Sequence, residues 1–255
     1  MLEAETELLL RHQQQYTTAI HQARLQGEDA FQAWFNREAA KNRQQALCRG
    51  YWDWTLHILT PKVASYLQNP ETQVALEIGY GGGRLLNAAC SYFKRVIGLD
   101  IHAEAQTVAN FLQTQGKTNF QLLKTRGKTI PVAAERLDFI YSFIVFQHLP
   151  SFKVFESYLQ EIARTLRRGG VAQIYFGQFK NLHPIYQGLY FWQGYREVRA
   201  KNANQITLVV QIAKVKKLCQ TLGLQVVETG PSYFCVPDGY PQKVGGQNYV
   251  TLRKP

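Results

Sequence analysis

Gln73-Val74-Ala75-Leu76-Glu77-Ile78-Gly79-Tyr80-Gly81-Gly82-Gly83-Arg84-Leu85-Leu86 is the stretch on which the fold turns. Gln73 to Ile78 is short, apolar and bounded by turn residues, so it reads as a buried strand. Gly83 to Phe93 reads as a helix. The glycines between them let the chain turn tightly and let a ligand approach the backbone with no Cβ in the way. That ligand would also meet the unpaired amides and the positive end of the new helix.

The alternation continues downstream. Arg95 to Leu99 reads as a strand, Ala103 to Thr114 as a helix, and Asn119 to Leu123 as a strand. Leu137 to Ile144 is a further strand, followed by a helix from Ser151 to Leu166. Arg168-Gly169-Gly170 stops that helix, and Val171 to Phe176 is the next strand. Strands alternating with helices of this length require crossover connections, which means a parallel sheet covered on both faces. A helix from Ile206 to Leu222 ends at Gly223, a good terminator. Leu224 to Glu228 and Asn248 to Leu252 then read as strands joined without a helix, through a connection holding Pro231, Pro237, Gly239, Pro241, Gly245 and Gly246. Such strands pair antiparallel, which predicts an antiparallel final edge to the sheet. The expected fold class is α/β: a doubly wound, mostly parallel seven-stranded sheet with an antiparallel last strand and an N-terminal helical extension.

Upstream, residues 1–60 read as helical. Leu8, Leu9, Tyr16, Ile20 and Ala23 recur at spacings near three and four, as do Phe31, Trp34 and Phe35, and Gly27 divides the two sets. A further helix runs from Gln44 to Ile58 and stops at Thr60-Pro61. Another short one starts at Val63 and ends at Asn69-Pro70. The expected organisation is a helical cap or lid over residues 1–70, and a ligand-binding domain over 71–255 with an aromatic insertion at 180–204.

The composition fits a folded chain of 255 residues, 45% hydrophobic and 18% charged. No stretch approaches the ~18 consecutive apolar residues of a membrane span. Acids stand where a secretory signal would carry bases, so the expected location is cytoplasmic. Cys48, Cys90, Cys219 and Cys235 are far apart, which disfavours a structural zinc or a redox pair, and no metal site is expected. The net charge is +11, and most of it sits late. Residues 151–255 hold fourteen bases against five acids. Such a one-sided excess attracts phosphate, carboxylate or nucleic acid.

A glycine loop after a strand also serves dinucleotides, but that use needs G-x-G-x-x-G. Here the third position falls on Arg84, and Glu77 would repel a pyrophosphate. Glu77 suits a ligand with an ammonium group and further positive charge, which favours S-adenosylmethionine over a nicotinamide dinucleotide. Asp100 ends the next strand, where a carboxylate can accept hydrogen bonds from two vicinal ribose hydroxyls. Glu77-x-Gly79-x-Gly81-x-Gly83, Asp100, Asp138-Phe139-Ile140-Tyr141-Ser142 and Leu166-Arg167-Arg168-Gly169-Gly170 together resemble a class I S-adenosylmethionine-dependent methyltransferase, over residues ~72 to 178. The resemblance implies that Glu77 and Gly79 hold the methionine part, with Tyr80, Gly81 and Gly83 also binding the cofactor, and that Asp100 holds the ribose. It further implies that Ile101 lies against adenine, and that Ser142 and Phe143 line the cofactor beside the substrate. Many relatives place an acid before the glycine of Thr125-Arg126-Gly127 to meet the adenine amino group. Here that position is Arg126, and a guanidinium offers no acceptor.

The transfer is a displacement at a sulfonium carbon with a good neutral leaving group, so positioning supplies much of the rate. An oxygen nucleophile needs a base; an amine needs only to be unprotonated. His148 is the first candidate base, with His183, Tyr186 and Tyr190 from the insertion beside it. The insertion's aromatic residues and its rim of Arg196, Arg199 and Lys201 suit a planar or acidic small molecule. Tyr51 and Trp52 are expected to form part of the lid over the cofactor. The leading expectation is methyl transfer to a small-molecule oxygen or nitrogen nucleophile. The alternatives are a nucleic-acid methyltransferase using the basic C-terminal half, and a non-catalytic binding protein on the same fold, which Arg126 alone favours.

Overall fold

The computed structural model describes residues 2–36, 39–234 and 243–255. Its helices are α1 (Leu2–Leu25), α2 (Glu28–Asn36), α3 (Arg43–Asp53), α4 (Pro61–Ala64), α5 (Arg84–Ala89), α6 (Ala105–Gln113), α7 (Phe152–Thr165), α8 (Pro184–Leu189) and α9 (Ile212–Thr221). Its strands are β1 (Val74–Ile78), β2 (Arg95–Asp100), β3 (Phe120–Lys124), β4 (Leu137–Ser142), β5 (Leu166–Gly177), β6 (Tyr195–Glu197), β7 (Leu208–Val210), β8 (Gln225–Phe234) and β9 (Lys243–Arg253).

Seven strands form one sheet in the order β3-β2-β1-β4-β5-β9-β8. The pairs from β3 to β5 are parallel, and β9 runs antiparallel to both β5 and β8. The order reverses between β1 and β4, which opens a crevice beyond their carboxyl ends, where open α/β sheets bind ligands. Side-chain alternation divides the core in two. Leu76, Ile78, Ile140, Ile174 and Phe176 face one layer, with Phe155, Leu159 and Ile162 of α7. Ala75, Val96, Phe139, Tyr141 and Tyr175 face the other, with Leu85 and Leu86 of α5 and Val108 and Phe111 of α6.

Three local expectations change. The antiparallel strand lies inside the sheet, because β8 adds outside it as the edge; β8 therefore tolerates Pro231, which has no amide to give. The helix expected over 206–222 is shorter, because the apolar run Leu208-Val209-Val210 pairs with β6 and is buried. The helix expected to end at Ile58 changes character at Trp54, continuing to Ile58 as a π-helical turn. Trp54 is fully buried there, edge-on to Tyr141 at 5.2 Å between ring centroids. Cys235, Pro237, Gly239 and Pro241 lie outside the described residues.

Candidate functional site

The cleft over the glycine loop at the β1–β4 crevice has about 1060 Å³ of empty volume. Its floor is the glycine loop and the ends of β1, β2 and β4. Its roof is α1 and α2, through Leu9, His12, Gln13, Tyr16, Ile20, Trp34 and Phe35. Three hydrogen bonds pin the roof. Gln32 Nε2 donates to the Gly82 carbonyl at 3.0 Å, His12 Nε2 bonds the His148 carbonyl at 2.7 Å, and the Asn204 amide donates to the Tyr16 hydroxyl at 2.9 Å.

The loop itself needs glycine. Gly79 has φ +80° and Gly81 has φ +51°, in the region L side chains avoid. A Cβ on Gly79 would sit 2.3 Å from Val145 Cγ2, and one on Gly81 would sit 2.8 Å from Phe35 Cδ1. Roof and floor touch here because no side chain stands between them.

Glu77 lines the cleft yet is almost wholly buried. The Tyr141 hydroxyl donates to its Oε2 at 3.1 Å. Burial pushes its carboxyl up to about 8, against the opposing pull of that bond and of Arg84. Arg84 is itself buried and forms an ion pair with Asp53 of α3, which Arg49 also engages at 3.2 Å. A carboxyl and a guanidinium at one end of the cleft match the ammonium and carboxylate of an amino acid.

Asp100 anchors the middle. Its Oδ2 accepts from the Gly81 amide at 2.8 Å and its Oδ1 from the Ile101 amide at 2.7 Å, so the carboxylate is fixed while each oxygen keeps acceptor capacity for a diol. His102 braces the arrangement. Its Nδ1 accepts from the Glu104 amide at 3.1 Å, which leaves Nε2 as the donor to the Gly81 carbonyl at 3.1 Å. Ile101, Leu9, Thr125, Gly127 and Tyr158 line the remaining end. There Gln13 Nε2 is buried without a hydrogen-bond partner, 2.5 Å from where a Cβ on Gly127 would stand.

Among the residues expected from sequence, Glu77, Gly79, Tyr80, Gly81, Asp100, Ile101, Phe143 and His148 all line this cleft. Tyr80 packs edge-on to His102 at 4.9 Å, and burial raises its hydroxyl far above the usual range. Gly83 stands behind the loop at φ +87°, where a Cβ would meet Val108. Six of the expected residues stand elsewhere. Ser142 is fully buried and donates to the Ile78 carbonyl at 2.8 Å, tying β4 to β1 instead of lining the cleft. Tyr51 and Trp52 sit on the outward side of α3, and Trp52 is 61% exposed, so neither is part of the roof. His183 caps α8, accepting from the Ile185 amide, and Tyr186 lies under the Arg196 guanidinium at 4.3 Å. Like Tyr190, these two stand outside the cleft, and from the 180–204 stretch Asn204 reaches it. Arg126 is exposed while Thr125 and Gly127 beside it face inward.

Sequence reasoning missed the roof residues Gln13, Tyr16, Gln32 and Phe35, together with Arg84 and His102. Gln32 carried one signal: a polar residue inside the apolar periodicity of Phe31, Trp34 and Phe35.

The donor set fits S-adenosylmethionine: acid and base for the amino-acid part, a fixed carboxylate for the diol, and a largely apolar end with an orphaned amide for the base. Residues 76–174 match the family model described as a methyltransferase domain. Residues 76–174 therefore form a methyltransferase domain, and the chain is an enzyme dependent on S-adenosylmethionine. A search of the curated proteins finds no match. Among solved structures, a SAM-dependent methyltransferase from Methanosarcina mazei is similar at 17% identity and a TM-score of 0.55, over 77% of this chain and 98% of that one. A SAM-dependent methyltransferase from Aquifex aeolicus is similar at 14% identity and a TM-score of 0.54, over 84% and 98%. One from Mesorhizobium loti is similar at 13% identity and a TM-score of 0.55, over 76% and 96%. These likenesses are likenesses of fold. Among the described residues, no helix is long and apolar enough to cross a membrane.

Proposed function

We propose that the protein methylates a small molecule, with residues 1–70 acting as a cap over the catalytic domain of residues 71–255. The observation that carries this reading is the roof. Helix α2 is held on the glycine loop through Gln32, α1 is held to His148 and Asn204 through His12 and Tyr16, and together they leave a cleft of small-molecule size. A nucleic-acid strand would need an open basic groove at the same place.

When bound, the cofactor supplies an electrophilic methyl group. Glu77 and Arg84 take its amino-acid end, Asp100 its ribose hydroxyls, and Ile101 one face of adenine. Gln13 takes the part that an acid plays in relatives, since its amide offers both a donor and an acceptor to the adenine edge. Phe143 walls the cleft where the acceptor must approach.

The test is incubation with labelled S-adenosylmethionine and a panel of phenols, amines and carboxylic acids, alongside total RNA. Label on a compound of the panel supports the reading. Label on RNA alone, with retention on heparin that falls steeply with salt, overturns it in favour of the basic C-terminal half.

A further inference from the structure

Phe143 and Ile144 form a wall shared by two spaces. One is the cofactor cleft. The other is an open groove of about 1930 Å³ between α3, the π-helical turn at Trp54–Ile58, and strands β8 and β9. Three features converge on that wall.

The first is backbone strain. Ile144 has φ +65°, a conformation that a β-branched residue adopts only when its surroundings impose it. Its amide donates to Gln247 Oε1 of β9 at 3.2 Å. The second is the π-helical turn, a rare element that concentrates at functional positions. Its backbone is held by Gln173 Nε2 and the Tyr175 hydroxyl, which both donate to the His57 carbonyl, at 3.2 and 2.9 Å. The third is what the turn delivers. The His57 ring stacks on Phe143, with centroids 4.8 Å apart and planes 19° from parallel. Among the described residues its imidazole makes no hydrogen bond, and the nearest carboxylate oxygen, Asp53 Oδ1, stands 3.9 Å from Nε2. His148 differs. Its Nδ1 bonds the Gln205 carbonyl at 2.8 Å and its Nε2 the Gln147 amide at 3.1 Å, so both nitrogens are occupied.

We propose that this groove is the acceptor site, that His57 Nε2 is its proton acceptor, and that the acceptor is an uncharged planar molecule with a weakly acidic, phenol-like hydroxyl. This rests on the small-molecule reading above and deepens it. Among the described residues, the groove's Arg49 and Asp53 are paired with each other and Asp53 also with Arg84, which leaves no free countercharge for an ionic acceptor. Amides (Gln147, Gln247), Ser232 and the flat faces of Trp52 and Tyr233 line it instead. Burial lowers the affinity of His57 for protons, which keeps it neutral and receptive at neutral pH. In the transfer, the hydroxyl gives its proton to His57 Nε2. The oxygen forms a bond to the methyl carbon while the carbon–sulfur bond breaks, and that pair stays on sulfur. His57 then returns the proton to water through the groove.

The probe is 4-nitrophenol, titrated into the protein saturated with S-adenosylhomocysteine, whose own binding is measured first by calorimetry. Wild type should bind the probe and lose affinity as acid protonates His57. His57→Phe keeps a ring against Phe143 and removes the acceptor; it should bind at least about tenfold more weakly and lose that pH dependence. Gly246→Leu is a second variant, because open space surrounds a Cβ at Gly246. It should block the probe and leave S-adenosylhomocysteine affinity unchanged. Unaltered affinity and pH dependence in His57→Phe, or probe binding unaffected by Gly246→Leu, overturns the assignment. So does a wild-type protein that binds S-adenosylhomocysteine and ignores the probe. Failure to bind S-adenosylhomocysteine at all would overturn the cofactor reading itself.

Discussion

Glu77 should make cofactor binding a proton-coupled event. Burial holds its carboxyl at about 8, so at pH 7 only about one tenth of free protein carries the ionised form. An incoming ammonium needs the carboxylate. Binding at pH 7 should therefore release roughly 0.9 proton, and drawing on the minor form costs about 1.4 kcal/mol. Between pH 6 and pH 7 the ionised fraction rises about ninefold, and affinity for S-adenosylhomocysteine should rise by the same factor. The assay is calorimetry at each pH in two buffers of different ionisation heat, where the difference in apparent enthalpy counts the protons released. Glu77→Gln should abolish both the release and the slope. The same shift gives a stability signature. A carboxyl raised above its unfolded value stabilises the fold fully below about pH 4.5, and that contribution is lost as pH rises through about 8. Apo wild type should thus lose stability over this window while Glu77→Gln stays flat. Buffer-independent enthalpy together with a flat affinity profile would refute the reasoning.

Asp53→Ala should destabilise the protein by about 3–5 kcal/mol, read from chemical denaturation, because it strands the buried Arg84 guanidinium. Gln13→Leu should weaken S-adenosylhomocysteine about tenfold; unchanged affinity by calorimetry would rule out adenine reading by Gln13. Trp52→Ala should leave S-adenosylhomocysteine affinity unchanged, since this side chain projects away from the cleft, and a fivefold loss would contradict its placement.

Features encoded in contiguous residues could be read from the sequence. The strand, glycines and helix around Glu77 to Arg84 are one local run, and Asp100 ends a strand whose apolar pattern is plain. The crossover rule then sufficed for a parallel sheet. What escaped detection depends on contacts far apart in the chain. Gln32 reaches Gly82 across fifty residues, and Tyr16 meets Asn204 across 188. Nothing in the helical periodicity of α1 and α2 distinguishes a roof over a ligand from ordinary packing. Tyr51 and Trp52 misled because the helices preceding the domain are expected to fold over the cofactor, whereas the α3 register turns these two to solvent and buries Asp53 and Trp54 instead. Leu208 to Val210 misled because a short apolar run serves a strand as well as a helix, and only its pairing with β6 decides.

The most direct test is a crystal structure of the protein with S-adenosylhomocysteine. The ribose hydroxyls should lie on the Asp100 carboxylate, the amino group beside Glu77, and the sulfur toward the Phe143–Ile144 wall. A nucleoside bound elsewhere, or an empty cleft at saturating ligand, would contradict the account.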